Sequence, residues 1–230
     1  MWETVSGGMS GARVARRAGV YRKTSDDPRH DLPGEGARLA WLRAHGIPAP
    51  EVLECGPGLL VTAEVPGRPA SEPWPDLGRV TDALAGLTRA LHALPVADCP
   101  FDSRLALTIP AALAADVDLD DLDDERAGWS RDQLVTRLLE TRPDEEDLAV
   151  CHGDLCLPNV LLDPETYEVT GVIDAGRLGV ADRCTDLALM TRSMSADLNP
   201  EYDAARFLAR YGVEPDPAKL EFYRLLDEFF

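Results

Sequence analysis

The sequence predicts an α+β protein in two lobes: a small antiparallel-sheet lobe over residues 1–65 and a larger, mainly helical lobe over 66–230. Three observations predict it. Short apolar runs broken by Gly and Pro turns fill the first 65 residues. Four prolines (Pro66, Pro69, Pro73, Pro75) follow and read as a stiff connection. Beyond them apolar residues recur at intervals of three and four, the period of a helix with one buried face. A chain of 230 residues is long enough to bury a sizeable core in such an arrangement.

The elements follow in order. Residues 2–24 read as a hairpin region: Trp2 to Val5, a Gly/Ser-rich turn around Ser10, Ala12 to Arg16, a tight Arg17-Ala18-Gly19 turn, then Val20 to Thr24. A turn rich in Gly lets backbone N–H groups approach phosphate oxygens, although such turns commonly carry no ligand. Leu39, Leu42 and their neighbours predict a helix over 35–45, ended by Gly46, with Glu35 in its first turn. Residues 47–54 and 57–65 read as two further strands. Asp76 caps a helix carrying Leu77, Val80, Leu84, Leu87 and Leu91, a core stripe that stops at Pro95. Ser130 with Gln133 forms a capping box for a helix bearing Leu134 and Leu138. Helices are expected over 182–195, 202–211 and 217–230.

Charge and cysteine content exclude whole classes of function. Forty-one acidic against 23 basic residues give a net charge of −18. That disfavours nucleic acid and anionic membrane as partners and favours cations, while general selection for solubility explains acidity equally well. Seven of the ten residues from Asp116 to Glu125 are acidic. Most read as a solvated loop or helix start, and their mutual repulsion would be relieved by a polycation. The spacing lacks the central Gly of a calcium loop. No apolar run approaches the ~20 residues needed to span a bilayer, and M-W-E-T-V-S-G-G is not a secretory signal. Five cysteines form no paired framework, so reduced thiols in a cytoplasm are expected. Cys151, His152 and Cys156 lie close together, but the four ligands of a structural zinc site are not at hand.

The chemistry concentrates between Val150 and Asp186. Two buried-strand patterns, Leu148 to Cys151 and Val169 to Ile173, open into polar loops with Asp154 after the first and Asp174 after the second. Asn159 lies between. Hard carboxylate and amide oxygens at strand ends suit Mg²⁺, a cation usually shared with phosphates. An additional Asp can orient a hydroxyl nucleophile. Lys23 on a strand and Glu35 on a helix match the pairing that kinases use to fix a nucleotide's phosphates.

These motifs carry a resemblance. H-G-D-x-x-x-x-N (His152–Asn159), I-D-x-G-R-x-G-x-A-D (Ile173–Asp182) and the terminal D-E-F-F (Asp227–Phe230) resemble the aminoglycoside phosphotransferases, most of all the 3′-phosphotransferases that act on kanamycin and neomycin. The resemblance covers nearly the whole chain. It implies the bilobal protein-kinase-like fold, ATP and Mg²⁺ as cofactors, an aminoglycoside antibiotic as acceptor, and a cytoplasmic monomer or weak homodimer. By position, Asp154 matches the catalytic Asp, with Asn159 and Asp174 as metal ligands. Ser10, Tyr21, Lys23, Glu35, Ala63 and Val65 match the nucleotide contacts. Asp121, Asp124, Arg177, Arg192, Asp227, Glu228 and Phe230, the last through its carboxylate, match the acceptor pocket. His152 is expected to organise its loop by hydrogen bonding. The chain departs from the family pattern in starting almost at its first strand, in the short Ala18-Gly19 turn, and in Ala196, which stands where some relatives are acidic. A kinase of another small cationic alcohol or antibiotic would share Asp154, Asn159 and Asp174. A nucleotide-binding pseudoenzyme would have lost one of them or Lys23.

Overall fold

A computed structural model describes residues 1–5, 12–27, 29–195 and 198–230. The Gly/Ser-rich turn with Ser10, and Ala196, lie outside the described residues. The chain forms two compact units: Met1–Ala90 with Leu157–Arg177, and Leu91–Cys156 with Leu178–Phe230.

In the first unit, alternating side chains build a five-stranded antiparallel sheet from β1 (Glu3–Val5), β2 (Arg13–Arg17), β3 (Val20–Thr24), β4 (Val52–Gly56) and β5 (Leu59–Ala63), ordered β1-β2-β3-β5-β4. The β2–β3 turn places Ala18 at φ 47° and Gly19 at φ 78°, the doubly left-handed turn that matches strand twist. β4 begins later than the expected 47–54, because Pro48 and Pro50 cannot donate to a ladder. Helix α1 (Leu32–Ala44) packs on β4 and β5 through buried Leu32, Leu39 and Leu42. It starts three residues before the expected Glu35. The Asp31 carboxylate accepts from the Gly34 N–H at 2.9 Å, and Pro33 occupies the first turn, where no N–H is needed.

The proline-rich stretch is docked rather than a free spacer. Within it β6 (Arg68–Pro69) pairs with β8 (Val160–Leu162), which pairs with β9 (Val169–Val172) in a second antiparallel sheet. The Ala70 N–H donates to the Val160 carbonyl at 2.8 Å, and the Trp74 indole N–H to the Pro69 carbonyl at 3.1 Å. Consequently the break between units falls inside α2 (Leu77–His92), whereas the sequence places a boundary at 65/66.

The second unit pairs β7 (Leu148–Cys151) with β10 (Gly179–Asp182) and carries α3 (Leu105–Ala114), α4 (Arg131–Glu140), α5 (Cys184–Ser193), α6 (Ala204–Tyr211) and α7 (Pro217–Asp227). The Ser130–Gln133 capping box opens α4 as expected. Leu105, Ile109, Leu134, Leu138, Phe222 and Phe229 meet in one core. The buried Asp182 carboxylate ties the parts together, taking the Lys219 ammonium at 2.7 Å and the N–H groups of Asp147 and Cys184. None of the five cysteines forms a disulfide. Burial, chiefly, pushes the Cys184 thiol up to about 12 and holds that of Cys151 well above its ordinary value. Among the described residues no helix is long and apolar enough to cross a membrane.

Gly67 is the tightest backbone approach in the docked stretch. At φ +124°, a Cβ there would lie 2.8 Å from the Leu162 carbonyl oxygen and 2.5 Å from Thr170 Oγ1. We expect Gly67→Ala to destabilise the protein by about 1–3 kcal/mol, read as a lowered urea midpoint with an unchanged m-value.

Candidate active site

The first unit assembles a charged triad around Lys23. Period-two alternation on β3 puts Lys23 on the same face as Tyr21. Lys23 Nζ donates to Glu35 Oε2 at 2.9 Å and to Asp174 Oδ1 at 2.8 Å. Glu35 is 6% exposed and sits in the first turn of α1, where the helix dipole favours its charge. Burial opposes the ammonium, but the charges of Glu35 and Asp174 and the bonds to them outweigh it, so Lys23 titrates above its ordinary range. The Ile173 N–H donates to the Asn159 carbonyl at 3.0 Å, just beyond the Val160–Val172 pair. Buried Asn159 and half-buried Asp174 therefore stand at one end of the β8–β9 hairpin. Asp174 has φ 61°, a conformation that Asp tolerates better than most side chains. Ala63 ends β5 with its N–H on the Glu51 carbonyl at 2.8 Å, and Val65 packs against Gly171.

The second unit presents Asp154. β7 runs into His152 and Gly153, whose N–H groups donate to the two oxygens of Asp186 at 2.8 and 2.9 Å. Gly153 has φ 82°, which reverses the chain so that Asp154 emerges half-buried. The Asp154 N–H reaches His152 Nδ1 at 3.3 Å, and His152 itself is fully buried. Cys156 Sγ lies 4.0 Å from Asp154 Oδ1.

The acidic stretch folds as a loop with a short 3₁₀ turn, Asp124–Arg126, and its charges are partly neutralised from within. Arg126, 2% exposed, pairs with Glu228 at 3.1 Å, Asp123 at 3.5 Å, and Glu221. Arg192 pairs with Asp227 at 3.0 Å and with Asp123, whose N–H donates to Glu228 at 3.3 Å. Of the sequence-derived acceptor residues, Arg192, Asp227 and Glu228 thus meet in one network. Asp121 and Asp124 are exposed and, among the described contacts, stand outside it, and exposed Phe230 follows the network's last member by two residues. Arg177 belongs to the other unit. Sequence reasoning passed over Asp123, Arg126, His92 and Asp186. A lone Arg directly after an acidic run, and a carboxylate among the apolar residues of α5, are the signals that could have found two of them.

A model of the phosphotransferase enzyme family matches residues 2–223. The chain belongs to that family. An aminoglycoside 3′-phosphotransferase of Streptomyces fradiae is 50% identical over 100% of this chain and 95% of its own. The crystal structure of an aminoglycoside 3′-phosphotransferase of type VIII superposes with a TM-score of 0.91 at 48% identity, covering 100% and 93%. An aminoglycoside phosphotransferase of Streptomyces rimosus, solved with ADP and streptomycin, superposes with a TM-score of 0.83 at 33% identity, covering 99% and 92%. The mixed fold with an antiparallel five-stranded sheet is therefore that of this phosphotransferase family.

Glu228 gives the network a pH signature. Burial and the neighbouring Asp123 charge outweigh Arg126 and push its carboxyl up to about 7, from an ordinary 4.5. An acid raised on folding contributes stability that is full below its unfolded value and is lost as pH rises through the folded one. The urea midpoint should accordingly fall between about pH 4.5 and pH 7 from this cause, and Glu228→Gln should flatten that part of the profile relative to the parent chain.

Proposed function

We propose that this phosphotransferase moves the γ-phosphoryl group of ATP to the 3′-hydroxyl of an aminoglycoside antibiotic and so inactivates the drug. The observation that carries the reading is Lys23 held between Glu35 and Asp174. A preorganised ammonium of this kind meets phosphate oxygens as a point charge without reorganising when the nucleotide arrives. The 50% identity to an aminoglycoside 3′-phosphotransferase supports the acceptor, and the ADP and streptomycin complex of the Streptomyces rimosus relative supports the pairing of nucleotide with aminoglycoside. The functional division that goes with it gives nucleotide handling to residues 1–65 and catalysis with acceptor binding to 66–230.

Each residue takes a part in positioning or charge neutralisation, which is what phosphoryl transfer chiefly needs. Glu35 holds Lys23 against the α- and β-phosphates. Tyr21, with Ala63 and Val65 at the end of β5, receives the adenine. The amide oxygen of Asn159 and the carboxylate of Asp174 are hard donors at one hairpin end, a set that fits Mg²⁺. When bound there, the ion neutralises charge on the phosphate oxygens. Asp154 orients the acceptor hydroxyl and takes its proton. The acceptor's ammonium groups meet Asp121, Asp124, Asp227 and Glu228, with Arg192 and the Phe230 carboxylate beside them. Each ammonium–carboxylate pair gains about 4 kcal/mol at 4 Å for an effective dielectric near 20, before desolvation and screening reduce it.

Replacing Asp154 with Ala should lower turnover by about 10²–10⁴-fold while circular dichroism and thermal melting stay at parent values. Retained turnover would remove Asp154 from the chemistry. Across a panel of aminoglycosides, ATP consumption should require a 3′-hydroxyl, and consumption with 3′-deoxy compounds would move the transfer to another position.

A further inference from the structure

We propose that His92 is a positioning residue for the loop that presents Asp154, acting through Asp186 and backed by Tyr211. The proposal rests on the assignment of Asp154 to the acceptor hydroxyl.

His92 ends α2 inside the second unit with both ring nitrogens engaged. Nε2 lies 3.1 Å from Asp186 Oδ2, and Nδ1 lies 2.9 Å from the Tyr211 hydroxyl. The two rings meet edge to face with centroids 5.6 Å apart, which fixes the imidazole plane. Asp186 is fully buried, and its oxygens also accept the His152 and Gly153 N–H groups. On the far side, Arg183 reaches the Tyr211 hydroxyl at 3.3 Å and the Asp147 carboxylate at 2.7 Å.

With the imidazole proton on Nε2, donors and acceptors run in one direction. Arg183 donates to Tyr211, Tyr211 to His92, and His92 to Asp186, while Asp186 accepts the loop's amides. A polar chain thus reaches from a half-exposed ion pair to the two peptides before Asp154. Burial disfavours the Asp186 charge, yet the hydrogen bonds from His92 and from the His152 N–H help hold its carboxyl below the ordinary range.

The same atoms do not make a metal site. His92, Cys151 and Asp186 offer ligand atoms within 4.8 Å of one another. However, the Cys151 thiol is held well up by burial and donates to backbone carbonyls, and both Asp186 oxygens are occupied by N–H donors. What the cluster does is aim backbone. Gly153 occupies a left-handed conformation, so a rotated Asp186 carboxylate would release the peptides that set the direction of Asp154.

The test compares His92→Leu, His92→Gln and Tyr211→Phe in the full chain, with ATP and kanamycin as substrates and amide hydrogen exchange as a second readout. Misplacement of a reacting group by about 1 Å costs up to ~10²-fold in rate. His92→Leu should therefore lower kcat by about 10–100-fold with KM for both substrates within ~3-fold. Exchange at His152 and Gly153 should rise in the same variant while β7 and α5 keep parent protection. His92→Gln, whose amide can still donate to Asp186, should recover most of the kcat. Tyr211→Phe, lacking one hydroxyl, should shift kcat and exchange the same way by less, and it decides the matter if His92→Leu does not fold. Unchanged kcat in a folded His92→Leu, or exchange rising evenly over the unit, overturns the proposal. Should the parent chain not phosphorylate kanamycin, the exchange readout still decides the positioning role, so the two failures are separable.

Discussion

The first unit is held to one arrangement by the need to satisfy the Lys23 ammonium away from bulk water. A buried cation without partners costs several kcal/mol, so a fold that encloses one must bring carboxylates to it. Here one comes from a helix and one from a hairpin end. That demand fixes the rotation of α1, whose start is set by the Asp31 cap, and it accompanies the left-handed turn of Asp174. The second unit repeats the logic with its signs exchanged. Asp182 and Asp186 are buried anions met by an ammonium, an imidazole and backbone N–H groups. In both units a buried charge is thus met by groups that come from separate elements of the fold.

The net charge of −18 divides into parts with different physical meaning. Asp123, Asp227 and Glu228 are partly offset by the Arg126 and Arg192 guanidinium groups beside them, so they contribute order as well as field. Asp118, Asp120, Asp121 and Asp124 stay exposed, where solvent and salt screen each charge but the density of the run still attracts cations. Composition alone cannot separate these classes. Only the folded neighbourhood says which carboxylates have a guanidinium beside them.

Much of the fold was legible because it is written locally. The Ser130 capping box, the Leu77–Leu91 stripe and the Ala18-Gly19 turn each involve residues within a few positions of one another. The strand lysine and helix glutamate were also readable, since their pairing follows from a recurrent chemical need. The rest was hidden for identifiable reasons. Pro110 disguised α3, because a proline inside a helix forfeits one hydrogen bond that the surrounding core repays. β8 and β10 are too short to show a period. The docking of Arg68–Pro69 depends on a strand some ninety positions later. Arg126 and His92 gain their meaning from partners about a hundred positions away, and a single sequence carries no local trace of such encounters.

The protonation of three cysteine thiols has a consequence for how the protein ages. Thiolates, not thiols, are what peroxide attacks and what exchanges with disulfides. Cys151 and Cys184 are held protonated by their surroundings, and even the exposed Cys55 is raised, by partial burial and by the charges of Asp31 and Glu35. All three therefore stay largely in the unreactive form under mild oxidising conditions.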